Sequence, residues 1–331
     1  MRHVLTQLLV LLGWLVAAAM GALALTQAFG VTHFPLVYAA QALTVPLLAP
    51  AIPLAAVALW IGARSGDRPT LALGAVCVGI SASLVVLVAP TVPPMFGRTT
   101  LPRAAAAPRI TVAVGNVYFD NPTPERAVAA MLATDADVLV VVEYSGASEN
   151  EFTAQGADQR YVHRIGTPSD RRNGLAIYSR FPLVTAKITP VGDQDGIDAT
   201  LDVDGTPMRL LVVHPLPGRS PARLGQLERD IRTIGDVASE GDIPTAVLGD
   251  VNASRFHPAL RQLLGDFTDV HEALGQGLSA SWPTNRRVPP FVRLDHALVS
   301  GRMTATSVRD IDLPGSDHSG FVVELGLAAS D

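Results

Sequence analysis

The sequence contains a single cysteine and a single lysine among its 331 residues. Cys77 lies inside an apolar run, so an intramolecular disulfide is excluded and the folded part must be stabilised by its own core. Apart from Lys187, all basic side chains other than histidine are arginines, and no lysine-rich run occurs. Proteins that grip duplex phosphates generally present a basic face, so this composition disfavours a nucleic-acid partner.

Charge of either sign is scarce in the first 107 residues. That segment contains only Arg2, Arg64, Asp67, Arg68, Arg98 and Arg103, which together contribute +4. Because the whole chain has a formal net charge of −5, residues 108–331 carry −9. The chain is therefore an apolar amino-terminal part followed by an acidic domain, with an overall mean hydropathy of +0.31.

Three long apolar runs occupy the uncharged part, at residues 5–29, 34–62 and 70–96. Each is long enough to cross a bilayer, which takes roughly 20 apolar residues. A signal peptide could account for the first run but not for the other two. We therefore predict a transmembrane anchor over residues 1–97. Pro46, Pro50 and Pro53 fall within the second run, where they indicate either a kinked helix or a groove that admits a lipid chain.

The arginines of the short loops predict how the anchor is oriented. Arg2 precedes the first span, and Arg64 and Arg68 lie between the second and the third. The loop at residues 30–33 contains no arginine or lysine. The positive-inside rule then places the N-terminus in the cytoplasm and everything after residue 97 outside. The expected location is the bacterial plasma membrane, with the lipid bilayer as a partner and no protein partner indicated.

Residues 98–108 are predicted to be a linker, and residues 109–331 a catalytic domain. At about 3.3–3.6 Å per extended residue the linker reaches some 40 Å at most, so the domain stays near the bilayer. Short apolar runs predict strands at residues 109–115, 137–143, 174–179, 197–203, 207–214, 244–250, 292–299 and 320–327. Helices are predicted at 123–134 and 220–239. This pattern favours a four-layer α/β (α+β) sandwich, two packed β-sheets flanked by helices.

Polar side chains capable of metal binding or proton transfer stand at the ends of six of these strands. They are Asn116, Glu143, His214, Asp250 with Asn252, Asp295, and Asp317 with His318. A single carboxylate after a strand is usually a turn former, and a lone histidine is usually packed or solvated. The repetition at successive strand ends indicates a common site instead.

The ordered set of motifs resembles the endonuclease/exonuclease/phosphatase superfamily, over about residues 108–328. The motifs are, in order, GNVYFDN, DVLVVVE, GLAIYSR, VVHPL, GDVNA, RLDHALVS and SDHSG. That superfamily includes deoxyribonuclease I-like nucleases, inositol polyphosphate 5-phosphatases and bacterial sphingomyelinases. Gly115, Val251 and His296 depart from the commoner residues of the pattern and are interpreted as packing variations.

The resemblance implies a metal site. Glu143 would be the principal ligand of Mg²⁺, with Asn116 beside it, and Asp317 would contact the metal or its water. Oxygen ligands suit Mg²⁺, which keeps several waters in its coordination shell. Mn²⁺ is the alternative ion.

The resemblance also assigns roles in phosphate ester hydrolysis. Asp250 would orient or deprotonate the attacking water, and Asn252 would bind a phosphoryl oxygen and fix Asp250. His318 would donate to the phosphate, with Asp295 holding its ring. His214 would bind the phosphate from the other side.

Other polar residues near the motifs are candidates for substrate binding. Arg172 and Asn173, with Arg171, precede a strand and could meet a phosphate, although a solvated loop explains them equally well. Trp282-Pro283 and Arg286-Arg287 could shape the rim of the pocket. The remaining histidines have no matched role.

Three apolar spans followed by this domain resemble the bacterial membrane phosphatases linked to teicoplanin resistance. This layout leads us to expect a lipid-linked (pyro)phosphate of the cell envelope, such as undecaprenyl (pyro)phosphate, as substrate. An extracellular nuclease or phospholipid phosphodiesterase is the alternative, because the superfamily carries several chemistries on one fold. A non-enzymatic binding module is a third possibility.

Overall fold

The computed structural model describes residues 2–329. The amino-terminal part consists of α1 (Arg2–Ala28), α2 (Pro35–Ala42), α3 (Thr44–Leu48), α4 (Ala51–Ser65), α5 (Arg68–Val88), a 3₁₀ turn (Ala89–Thr91) and α6 (Val92–Met95). The helices that follow are α7 (Pro124–Ala133), α8 (Gly146–Ala154), α9 (Ala157–Arg160), α10 (Pro221–Ala238), α11 (Pro258–Leu263) and α12 (Val270–Ala273).

Twelve strands in the described chain alternate with these helices. They are β1 (Ala104–Asn116), β2 (Val138–Val142), β3 (His163–Thr167), β4 (Leu175–Ser179), β5 (Leu183–Val191), β6 (Gln194–Val203), β7 (Thr206–Val213), β8 (Thr245–Asp250), β9 (Thr268–Asp269), β10 (Asp295–Ser300), β11 (Met303–Ile311) and β12 (Gly320–Ala328).

Three helical segments are long and apolar enough to cross a membrane, as the sequence predicts. They cover Gln7–Ala28, Thr44–Ser65 and Arg68–Met95. Small side chains, including Ala17, Ala55 and Cys77, are buried where these helices pack together. Close packing through small residues is the usual way in which membrane helices associate.

The second predicted span is wrong at its start. Residues 35–42 form the separate helix α2, and the continuous apolar segment begins only at Thr44. Proline has no N–H, and its ring clashes with the carbonyl group four residues earlier. Pro46 is therefore incompatible with an unbroken helix through Ala42, and the chain leaves helical geometry at Leu43. Tyr38 of α2 contacts the domain that follows, through Asn252 and His257, whereas Ala40 and Gln41 contact the amino-terminal helices.

The linker is shorter than predicted, because β1 begins at Ala104. Ala104 pairs with Ala328 of β12, and the register shifts before the next pair, Arg109 with Gly326. Leu101 is already buried in the core between the sheets. Burial of this side chain and the added strand pairing draw the end of the linker onto the domain.

The two sheets pack face to face and are flanked by helices, which confirms the predicted four-layer architecture. One sheet has the strand order β11-β12-β1-β2-β4-β3, and the other β5-β6-β7-β8-β10-β9. Apolar side chains from both inner faces form the central core. Helices α7 to α9 pack on the outer face of the first sheet, and α10 and α11 on that of the second.

Two parallel strand pairs place the polar strand ends together. β1 and β2 are parallel in the first sheet, and β7 and β8 are parallel in the second. The carboxyl ends of parallel strands meet at one edge of a sheet. A side-chain hydrogen bond from Asn116 to Asp250 joins the two edges across the sandwich, so both pairs end at one site.

Candidate active site

Asp250 ends β8 and directly follows Gly249, a position at which any other residue would be strained. Gly249 has φ 139°, and a Cβ there would lie 2.2 Å from the carbonyl oxygen of Val213 on β7. The glycine thus lets the two strand ends approach closely. Asp250 is 1% exposed, and its Oδ1 accepts the backbone N–H of Asn252 at 2.8 Å.

Glu143 follows β2 with a left-handed backbone, φ 55°, which is uncommon for a residue other than glycine. Its Oε2 accepts the backbone N–H of Phe119 at 3.1 Å. The Asn116 carboxamide lies between the two carboxylates, with Nδ2 3.4 Å from Glu143 Oε1 and 3.2 Å from Asp250 Oδ2. Backbone strain of this kind is often found at functional sites.

His318 and Asp295 form a buried hydrogen-bonded pair. His318 Nδ1 lies 2.8 Å from Asp295 Oδ2, and Nε2 lies 3.6 Å from Asp250 Oδ2. Asp295 begins β10, where it pairs directly with Asp250 of β8. Three strand-end residues predicted from separate motifs are therefore adjacent.

The charges in this group shift one another's pKa values. Burial, the largest single influence, would lower the pKa of His318, but the carboxylates of Asp295 and Asp250 raise it to about 10. Burial raises the pKa of Asp250 to about 7, against the opposing charge of His318. Burial also raises the pKa of Glu143. His318 is thus a cation held between carboxylates, suited to meet a phosphoryl oxygen.

His214 is neutral in this arrangement. Burial lowers its pKa to about 4, although its hydrogen bond to the Arg172 carbonyl opposes that shift. Nδ1 donates to this carbonyl at 2.7 Å, which leaves the Nε2 lone pair 3.6 Å from Asp250 Oδ2. Binding a phosphate through Nε2, the role implied by the resemblance, therefore requires the ring to gain a proton. A phosphate dianion would favour that change.

Several of these side chains line a cavity of about 420 Å³, whereas the buried Asn116, His214 and Asp295 are not among its lining residues. Its lining includes Glu143, Arg172, Asp250, Asn252, Asp317 and His318. Trp282 also lines the cavity, and its Nε1 donates to Asp317 Oδ2 at 3.1 Å. Trp282 therefore lies at the cavity, where the sequence indicated a pocket rim.

Other candidates lie outside this cavity. Asn173 is exposed, accepts a hydrogen bond from Ser169 Oγ at 2.8 Å, and lines a neighbouring depression together with Arg171. Arg286 and Arg287 are exposed on the loop before Val292. The structure thus brings Arg172 to the catalytic cavity but leaves Asn173 beside it.

The departures from the superfamily pattern are explained by packing. A Cβ at Gly115 would lie 2.8 Å from Met131 Sδ of α7, which leaves no room for a larger side chain. Val251 is buried in the core beneath α10 and α11. His296 lies 2.6 Å from Asp269 through Nδ1 and 2.9 Å from the Ala253 carbonyl through Nε2, so it supports the fold beside the site.

Residues 115–318 match the Endonuclease/Exonuclease/phosphatase family. The chain belongs to this family. Its members are hydrolases of phosphoester bonds that typically use divalent metal ions. No curated protein matches the sequence significantly.

Solved structures of the same superfamily share the fold of the second part of the chain. D. rerio TDP2 complexed with a single-strand DNA product has a TM-score of 0.57 at 16% identity, over 66% of this chain and 100% of that one. The 3′ phosphatase NExo from Neisseria, bound to a product DNA hairpin, has a TM-score of 0.51 at 20% identity, over 65% and 98%. A family protein from Beutenbergia cavernae has a TM-score of 0.53 at 19% identity, over 67% and 72%.

The residues of the family site fit a divalent cation. Glu143, Asp250 and Asp295 are buried carboxylates, and Asp295 Oδ1 has no hydrogen-bond partner within the described chain. Ligand atoms of Asp250, Asp295 and His318 lie within 4.8 Å of one another. His318 is nevertheless a poor metal ligand, because its ring is protonated and hydrogen-bonded to Asp295. Glu143, with Asn116 beside it, is the better position for the ion.

Several lining residues of the cavity were not predicted from the sequence, and two of them carry polar groups that could meet a substrate. Tyr38 and Arg219 both line it. Arg219 lies in a loop rich in proline and glycine, outside every quoted motif. Tyr38 lies in a segment that the sequence predicts to be in the membrane. Only a break in that segment near Leu43 would have indicated that α2 is a separate helix that packs on the domain.

Proposed function

We propose that this family member is a membrane-anchored, Mg²⁺-dependent phosphohydrolase with an extracytoplasmic active site. Its substrate is a lipid-linked (pyro)phosphate of the cell envelope, such as undecaprenyl (pyro)phosphate, as in the teicoplanin-resistance subtype. The observation that carries the proposal is the position of α2. Pro35, Tyr38, Ala39 and Ala42 of this helix, in the amino-terminal part of the chain, line the same cavity as Asp250 and His318.

Each step of phosphate ester hydrolysis can be assigned to particular residues of the site. The oxygen of a water attacks phosphorus, its proton passes to Asp250, and the bond from phosphorus to the leaving oxygen breaks. His318 donates a hydrogen bond to a phosphoryl oxygen as its charge grows, while Asp295 fixes the ring. Asn252 Nδ2 donates to the Pro215 carbonyl at 3.0 Å and to Asp250 Oδ2 at 3.4 Å, so Asn252 orients Asp250. Arg172 contributes a positive charge. A bound Mg²⁺, held by Glu143 with Asn116 and Asp317, would neutralise phosphoryl charge.

Applied to a lipid diphosphate, this chemistry releases orthophosphate and leaves the lipid monophosphate. Applied to a monophosphate, it releases orthophosphate and the free alcohol. Asp250 can accept the proton only when deprotonated, and burial, which raises its pKa, makes it a stronger base than an ordinary carboxylate.

Cleavage of DNA is the second candidate function. The structures of TDP2 and of NExo that share this fold were determined with DNA products. The net charge of −9 on residues 108–331 counts against this candidate, because duplex binding relies on basic side chains.

The test is orthophosphate release by the full chain purified in detergent, offered undecaprenyl diphosphate or a plasmid, with and without Mg²⁺. We expect Mg²⁺-dependent release from the lipid and intact plasmid. Asp250→Asn and His318→Ala should each reduce the rate by about 10²–10⁴-fold. Asp242→Asn, at an exposed aspartate in the loop before β8, is the matched control and should retain the rate. Plasmid cleavage without release from the lipid would reject the proposal.

A further inference from the structure

One face of the short helix α2 is turned towards the catalytic cavity. Its lining residues Pro35, Tyr38, Ala39 and Ala42 are spaced i, i+3, i+4 and i+7. This spacing places side chains on a single stripe of an α-helix. Leu36 of the same helix is 82% exposed, and it is not one of the described residues that line the cavity.

α2 is fixed to the catalytic domain next to the reacting groups. The Tyr38 hydroxyl donates to the Asn252 carbonyl at 2.8 Å. The Tyr38 ring stacks on His257 with 3.6 Å between centroids and 11° between planes, and His257 Nε2 lies 2.9 Å from the Tyr38 carbonyl. Arg261 adds a bond at 2.9 Å to the carbonyl of Gln27 at the end of α1. Through these contacts α2 forms one side of the cavity.

The cavity is chemically divided between α2 and the catalytic side chains. Carboxylates and His318 occupy one part, whereas Ala39, Ala42 and Pro35 offer an apolar surface. Trp282, Val292 and Leu294 supply further apolar lining from the catalytic domain. A ligand that fills both parts carries phosphate at one end and hydrocarbon at the other.

The alanines leave room along the α2 face. Ala39 is exposed and Ala42 is half-buried, so neither side chain is packed tightly against the domain. The apolar segment that begins at Thr44 continues from the end of α2. The chain therefore passes directly from the apolar lining at Ala42 into a segment long enough to cross the bilayer.

We infer that the α2 face is a specificity-determining surface that binds the hydrocarbon units next to the phosphate of the substrate. Its occupant is the polyprenyl chain of the same lipid whose phosphate meets Asp250 and His318. The inference rests on the proposed function. It adds that discrimination between long and short chains depends on Ala39 and Ala42 of α2, in the amino-terminal part of the chain.

The test compares two diphosphates with the full chain in mixed micelles. One is undecaprenyl diphosphate, and the other is isopentenyl diphosphate, which has the same headgroup on a single isoprene unit. Ala39→Trp places a large ring on the cavity face, and Ala39→Leu a smaller obstruction. We expect the ratio of kcat/KM for the long chain to that for the short one to fall about tenfold in Ala39→Trp, with a smaller fall in Ala39→Leu.

Leu36→Trp is the matched control, because it adds the same ring to the same helix at an exposed position outside the cavity lining. Its ratio should equal that of the unchanged protein. An unaltered ratio in Ala39→Trp, or an equal loss for both diphosphates, would overturn the inference while leaving the proposed function intact. Orthophosphate release from neither diphosphate by the unchanged protein would instead remove the proposed function, and the inference with it.

Discussion

His257 shows how much one side chain contributes to joining the two parts of the chain. Its Nδ1 accepts the backbone N–H of Ser254 at 2.7 Å, and its Nε2 donates to the Tyr38 carbonyl at 2.9 Å. This pattern requires a neutral ring with its proton on Nε2. Burial lowers the pKa of His257 to about 4; the backbone hydrogen bond to Tyr38 opposes the shift, and the charges of Arg261 and His296 add to it.

Stability should therefore fall on acidification. The folded-state pKa of about 4 lies below the ordinary 6.5, so the unfolded chain binds more protons between these values. The contribution of His257 is complete above about pH 6.5 and is lost as the pH falls towards 4, on the order of 1–3 kcal/mol. We expect His257→Gln to flatten the decrease in thermal midpoint between about pH 7.5 and about pH 5.

The measurement is thermal unfolding in detergent across this pH range. His163→Gln, at a half-buried histidine on β3, serves as the control and should leave the decrease unchanged. A decrease in His257→Gln as steep as in the unchanged protein would show that another group titrates.

At the scale of elements, Arg209 connects a sheet to a helix. It makes a bidentate pair with Asp198, at 2.8 and 3.0 Å, between neighbouring strands β6 and β7. It also donates to the carbonyls of Val237 and Glu240, at and just beyond the end of α10, at 3.0 and 2.8 Å. The final carbonyls of a helix lack the usual partners four residues on, and Arg209 gives two of them a charged donor. The Val237 carbonyl also accepts the backbone N–H of Glu240 at 3.3 Å.

Removing this side chain should be costly. Arg209→Ala leaves the buried Asp198 with only the exposed Lys187, 3.4 Å away, as an ion-pair partner, and we expect a loss of about 3 kcal/mol in the free energy of unfolding. The exposed pair of Arg109 with Glu324 provides the comparison, where Arg109→Ala should cost about 1 kcal/mol or less. Denaturant unfolding of both variants measures the difference, and equal losses would contradict the argument.

The strands that were predicted from the sequence are the interior strands of the two sheets. All eight predicted strands lie inside the two sheets, whereas the edge strands β3, β5, β9 and β11 were not predicted. An interior strand is buried on both faces and reads as an apolar run, as in β2. β5 is mostly exposed, so its residues carry no such run. Helices α8 and α9 were missed for a similar reason, because each has few buried residues.

The part of the site that could be predicted is the set of residues that stand at the ends of strands. Asn116, Glu143, Asp250 and His318 stand next to apolar runs, and their motifs preserve the family order. The position of Tyr38 could not be predicted, because hydropathy does not distinguish a helix in the bilayer from one that packs on a domain. The available signal was Pro46, which with Pro50 and Pro53 was interpreted as either a kinked helix or a groove that admits a lipid chain.

The whole molecule should have its catalytic domain outside the cell. Its single native cysteine, Cys77, is buried, so an introduced cysteine gives a clean signal. Asp242→Cys, on an exposed loop of the domain, should react with a membrane-impermeant maleimide on intact cells. Ser65→Cys, exposed at the end of α4, should react only after permeabilisation. The reverse pattern would place the active site in the cytoplasm.

In the proposed function, the short connection from α6 to β1 and the attachment of α2 hold the active site close to the bilayer, and this decides which concentration of substrate sets the rate. A domain held at the surface of a bilayer finds lipids by diffusion in two dimensions. Its rate then follows the mole fraction of substrate among the surrounding lipids, not the amount per volume of solution. Dilution with inert lipid would slow such an enzyme, whereas dilution with buffer would leave each vesicle turning over at the same rate.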